Sequence, residues 1–100
     1  MAKNDKRITE DLSLQVAGFL SDYGCAYELH FDNRGGNRAR YLFVHKPVSA
    51  KIRVSGHPSD RIEKDMAHSR IPIFDIGPLR MSFDQFTEAF VELLNKKAAA

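Results

Sequence analysis

At Gly24 the spacing of the apolar residues changes, and that change limits what this chain can fold into. Before it, Ile8, Leu12, Val16, Phe19, Leu20 and Tyr23 recur every three or four positions, placing them on one stripe of an amphipathic helix. The spacing predicts a helix over 10–23, with Thr9 as its cap, Glu10 and Asp11 in its first turn and Gly24 at its end. Gly18 inside it costs about 1 kcal/mol relative to alanine and implies close packing against a neighbour. Beyond Gly24 the period falls to two: Tyr27, Leu29 and Phe31 alternate with Glu28 and His30. That is the pattern of a strand with one buried face.

Two further strands follow. "DNRGGN" supplies a turn, "RYLFVH" reads as the second strand, "KPVSA" turns again, and "KIRVS" is the third. Short connections between successive strands give an antiparallel meander. "HPSDRIEKDMAHSR" leaves the sheet pattern, and Ser59 or Asp60 is placed to cap a short helix carrying Ile62 and Met66. "IPIFDI" reads as a short extended segment that Pro72 confines to an edge or to a role outside the sheet. The last element is a helix in "SFDQFTEAFVELLNKK". Ser82 and Gln85 have capping-box spacing, Phe83, Phe86, Phe90, Leu93 and Leu94 share a face, and Lys96 and Lys97 lie at the C-terminal end. The order α-β-β-β-(short segment)-α predicts an α+β two-layer sandwich, helices on one face of a three-stranded antiparallel sheet.

One hundred residues supply one core, so the expectation is a single domain over 1–100 with 1–8 and 98–100 trailing. No apolar run reaches the roughly 18 residues of a membrane span, and "MAKNDKRITE" lacks the apolar centre of a signal peptide. The expectation is a cytoplasmic protein. Cys25 is the one cysteine, which excludes an intrachain disulfide and a four-cysteine zinc site. It reads as a small packed residue and not a nucleophile.

Charge is unevenly distributed. The net charge is +2, yet Asn33 to Ser59 contains six arginines and lysines and no carboxylate, against nine bases and thirteen acids elsewhere. Such asymmetry predicts one polyanion-facing surface on an otherwise acidic body.

If helices cover one sheet face, the other is solvated or used. In the third strand Ile52 and Val54 belong inside and Lys51, Arg53 and Ser55 outside. In the first, Tyr27, Leu29 and Phe31 are the inner set, with Glu28 and His30 outward. The second strand admits both orientations. With Leu42 and Val44 inward, Tyr41, Phe43 and His45 lie beside Lys51 and Arg53, an arrangement by which sheets stack and hold single-stranded nucleic acid. Alternatively, Tyr41 and Phe43 are covered by the "IPIFDI" segment.

The succession of a helix ending in glycine, "YELHF", a polar turn, "RYLFVHKP" and "KIRVSGHPS" resembles the HicA mRNA-interferase toxins, which share the double-stranded-RNA-binding-like α-β-β-β-α fold. In that family a third strand of alternating valines runs into a His-Pro pair, as Ile52, Val54, His57 and Pro58 do here. The resemblance covers roughly residues 10–60 and implies a fold and an RNA-facing habit. It does not transfer an active site. The family's catalytic histidine lies where the second strand begins, a region that here reads "GGNRARYLF", and "DRIEKDMAHSRIPIF" replaces the family's Gly-Thr-Leu segment.

Metal-free RNA cleavage needs a base and an acid that exchange protons near neutrality, and histidine fits both roles. His45 and His57 flank the third strand and are the candidates for a ribonuclease. His30, His45, His57, His68, Asp32 and Asp75 show no ligand spacing for a dedicated metal, and no cofactor is expected. "RGGNRAR" joins two strands and opens no helix, so it is a turn and not a nucleotide-cradling loop. It projects guanidiniums suited to bidentate phosphate contact.

The favoured reading is a non-catalytic nucleic-acid-binding domain, RNA ahead of DNA. Arg34, Arg38, Arg40, Lys46, Lys51 and Arg53 would contact phosphates, with Tyr41, Phe43 and His45 stacking on bases or meeting their edges. The alternatives are a protein-binding inhibitor or adaptor of the kind small phage and accessory genes encode, turned toward an acidic partner, and a HicA-like ribonuclease. Monomer and homodimer are both compatible with the length, because an edge strand left open beside "IPIFDI" can pair two copies into a continuous sheet.

Overall fold

A computed structural model describes residues 2–31, 39–56, 70–78 and 80–99. Its elements are α1 (Ala2–Asp22), β1 (Ala26–Phe31), β2 (Ala39–Lys46), β3 (Ala50–Ser55), β4 (Ile73–Ile76) and α2 (Phe83–Ala99). The class is α+β, as expected, with one strand more than the meander requires.

The strand order is β1-β2-β3-β4. β1, β2 and β3 pair antiparallel through Leu29↔Leu42 and Leu42↔Ile52. The "IPIFDI" segment corrects the three-stranded expectation: it joins the sheet beside β3, in parallel, with Ile52↔Phe74 and Val54↔Ile76. A parallel neighbour needs a long crossover, and the chain between Ser55 and Ile73 provides one. Pro72 stands just before the strand at the sheet edge, where its missing N–H costs no ladder bond, and its carbonyl accepts from Lys51 N–H at 2.9 Å. The short helix expected around Ile62 and Met66 and the turn in 32–38 lie outside the described residues.

α1 begins eight residues before the predicted start. Thr9 is not its cap. It lies inside the helix, 1 % exposed, and its Oγ1 accepts the buried Gly56 N–H at 2.7 Å. Ala2, Lys3, Lys6 and Arg7 are good helix formers, so nothing stops the helix at Thr9. Its far end follows the prediction. Gly24 has φ +69°, Gly24 N–H donates to Ser21 O at 3.0 Å, and Cys25 N–H donates to Leu20 O at 2.9 Å. That pair of bonds is the Schellman closure. Gly18 departs from expectation: it is exposed, and among the described residues nothing lies within 4 Å of where a Cβ would stand.

At α2 the capping box forms as spaced. Gln85 N–H donates to Ser82 Oγ at 3.1 Å, and Ser82 N–H donates back to Gln85 Oε1 at 2.8 Å. Phe86 and Phe90 are fully buried against Phe74 and Phe19, with ring centroids 5.4 to 5.8 Å apart and steep interplanar angles, a favourable edge-on arrangement. Val16, Leu20, Leu42, Val44, Ile52, Val54 and Ile76 complete the core between the helices and one face of the sheet. Cys25 belongs to this core. Burial pushes its thiol pKa up, which disfavours the nucleophilic thiolate. Among the described residues no helix is long and apolar enough to cross a membrane.

Candidate nucleic-acid interface

With Leu42 and Val44 turned into the core, β2 presents Tyr41 and Phe43 on the face away from the helices. The register lays out two rows there. One is Glu28, Phe43, Lys51, Ile73 and the other is His30, Tyr41, Arg53, Asp75. β4 extends the sheet sideways and does not lie across these rings, and both stay half-buried.

The first row and its neighbours form a platform. Tyr41 and Phe43 have centroids 6.3 Å apart with planes 21° from parallel. Lys51, cross-strand from Phe43, holds Nζ 5.0 Å from the Tyr41 ring centroid and 5.8 Å from that of Phe43, within cation–π range of both. His30 meets Phe43 edge-on at 5.0 Å. The β1–β2 ladder pairs Tyr27 with Val44 but Ala26 with Lys46, so His45 is an extra residue on β2. A bulge of this kind re-aims a side chain. Here His45 Nε2 donates to Glu28 Oε2 at 2.6 Å, while His30 Nε2 stands 4.0 Å from Glu28 Oε1. One exposed carboxylate is thus flanked by two exposed imidazoles.

Two predicted phosphate contacts stand apart from this platform. Arg40 faces the helices: its Nη1 donates to Ser13 Oγ at 3.0 Å, its Nη2 lies 3.6 Å from Glu10 Oε1, and its guanidinium covers the Phe31 ring at 4.8 Å. β2 alternation puts position 40 on the side of Leu42 and Val44, so its charge ties α1 to the sheet. Arg53 is on the expected face but is only 4 % exposed. It donates to Asp75 Oδ1 at 3.2 Å, and Arg80 Nε approaches the same oxygen at 3.0 Å while Arg80 Nη2 donates to Ser55 O at 2.9 Å. A Cβ on residue 77 would meet the Ser55 carbonyl oxygen as well as the Arg80 guanidinium, and the backbone contact is the one that calls for glycine at that position. Lys46 is exposed at the end of β2. Arg34, Arg38 and His57 lie outside the described residues, so the His45–His57 pairing has no geometry here.

Glu28 and His30 are the neighbours that sequence reading did not assign to the site. Their outward direction was legible from alternation. Their place beside Phe43 and His45 depends on the β1–β2 register and its bulge.

On the opposite side of the molecule, α1 and α2 flank a groove of about 870 Å³. Leu14, Phe19, Tyr23 and Val91 line it, with Asp22, Glu88 and Glu92 among its charges. An acidic rim repels phosphate, so the two sides of the protein differ in character. Among the described residues no group of three histidine, cysteine or carboxylate side chains is placed to hold a metal ion. Comparison with protein-family models, curated proteins and solved structures finds no match to this chain.

Proposed function

We propose that this protein binds single-stranded nucleic acid, RNA in preference to DNA, on the open face of its sheet, without cleaving it. The observation that carries the reading is the pair of near-parallel, half-buried rings of Tyr41 and Phe43 with the Lys51 ammonium over both. Ring faces accept bases of any sequence, and a cation beside them meets the backbone phosphate that follows each base. His30, His45 and Lys46 extend the polar margin of the platform. The resemblance of 10–60 to the HicA toxins supports RNA over DNA. Arg40 and Arg53 have no part in this interface, because their guanidiniums are engaged within the fold.

Fluorescence anisotropy with a short single-stranded RNA, a duplex RNA and a duplex DNA tests the reading. Single-stranded RNA is expected to bind most tightly, and Tyr41→Ala and Phe43→Ala each to weaken it by about 1–3 kcal/mol, roughly 5- to 150-fold. Lys51→Met is expected to flatten the dependence of log affinity on log salt by about 0.7, the value of one contact to a single strand. Absence of binding at low salt, or affinity indifferent to both ring substitutions, overturns the proposal. RNA cut in the titration would instead favour a ribonuclease, for which His45 on Glu28 is the candidate base.

A further inference from the structure

The two edges of the sheet differ. At β4, Ile76 bridges to Met81, Met81 N–H donates to Asp75 O at 3.2 Å and Gly77 N–H to Met81 O at 3.1 Å. The chain's own return therefore occupies that edge. β1 has β2 on one side and, among the described residues, no strand on the other. It is also the strand that the helices fail to cover. Leu29 and Phe31 point to the helix side, in line with Leu42 and Arg40, yet are 43 % and 53 % exposed. A strand edge offering free backbone groups beside bare apolar side chains is a template for another strand.

We infer that β1 pairs antiparallel with β1 of a second copy, joining two sheets into one of eight strands across a two-fold axis. Such an axis stands perpendicular to the sheet, so both helix layers lie on one side and each residue faces a residue of the same sheet face. Of the registers that satisfy this, Glu28 or Leu29 on the axis pairs five of the six residues of each β1, and His30 on the axis pairs only three. Glu28 on the axis sets two carboxylates against each other, and His30 there sets two imidazoles together. Leu29 on the axis sets Glu28 opposite the partner's His30, twice. On the helix side it sets the exposed Leu29 against its copy and the half-buried Tyr27 against the partner's exposed Phe31. A carboxylate facing an imidazole N–H donor is a favourable cross-strand pair, as is an aromatic pair, and like charges oppose each other, so this register is selected.

A ladder of five residues from each strand, 27–31, is a small interface, and the expected dissociation constant lies in the range of about 10 μM to 1 mM. Sedimentation equilibrium across that range measures it. His30→Glu sets acid against acid and is expected to weaken the dimer about tenfold, with Glu28→Lys in the same chain restoring it. In a Cys25→Ala background, Leu29→Cys is expected to oxidise to a covalent dimer rapidly, and Tyr27→Cys slowly, because only position 29 meets its own copy. Circular dichroism of each variant establishes that the protomer is folded. A monomer at every concentration overturns the inference, as does a dimer indifferent to His30→Glu. Equal cross-linking at 27 and 29 overturns the register.

Discussion

Asp75 shows how one residue's assignment changes between chain and fold. In the sequence it is a carboxylate in a short extended segment. In the structure its Oδ1 receives Arg53 at 3.2 Å and Arg80 at 3.0 Å, with all three side chains largely buried. Coulomb attraction is strong away from water, and so is the cost of removing one member of such a cluster. Asp75→Ala is therefore expected to destabilise the protein by about 3–5 kcal/mol in urea unfolding. A loss below 1 kcal/mol would show the cluster to be solvated. The predicted Arg53 phosphate contact was legible as a direction, since alternation gives the face. It was not legible as a state, because the sequence does not show that β4 brings a carboxylate beside it.

Among the secondary-structure elements, α1 carries two glycines with opposite roles. Gly18 has helical neighbours and open space around its missing Cβ, so Gly18→Ala is expected to stabilise the protein by about 0.5–1 kcal/mol through helix propensity. Gly24 closes the helix at φ +69°, where an L side chain crowds the following carbonyl, and Gly24→Ala is expected to cost about 1–2 kcal/mol. Thermal unfolding of the two variants should move in opposite directions. The same sign for both would mean that one of these backbone readings is mistaken. The helix end at Gly24 and the capping box at Ser82 were legible because each depends on neighbours in the chain. The start of α1 was not. Thr9 has the chemistry of a cap, and only the arrival of Gly56 N–H shows where its hydroxyl is used.

Across the whole molecule, the two layers give aromatic residues two different roles. Phe86 lies at 0 % exposure between sheet and helices, and Phe86→Ala is expected to cost about 3–5 kcal/mol. Phe43 is half-buried on the far side of the same sheet, and Phe43→Ala should cost distinctly less stability while it impairs binding. Parallel unfolding curves and anisotropy titrations check this. Comparable stability losses would place Phe43 in a covered core, and the platform would then not exist. The acidic groove between the helices and the ring platform face opposite directions.

The sequence by itself determined the class of the fold, the order of its first four elements, both helix terminators named above and the direction of alternate residues in β1 and β3. These rest on periodicity and on contacts within a few residues. They do not extend to burial: Leu29 and Phe31 point inward yet are exposed, and Arg53 and Ser55 point outward yet are buried. Tertiary structure alone decided the orientation of β2, since "RYLFVH" is apolar on both faces and only the core's demand for Leu42 and Val44 breaks the tie. It also decided that "IPIFDI" is a parallel strand, that His45 sits on a bulge beside Glu28, and that Arg40 serves α1. Each of these depends on a partner distant in the chain, and local residue patterns contain no record of that partner.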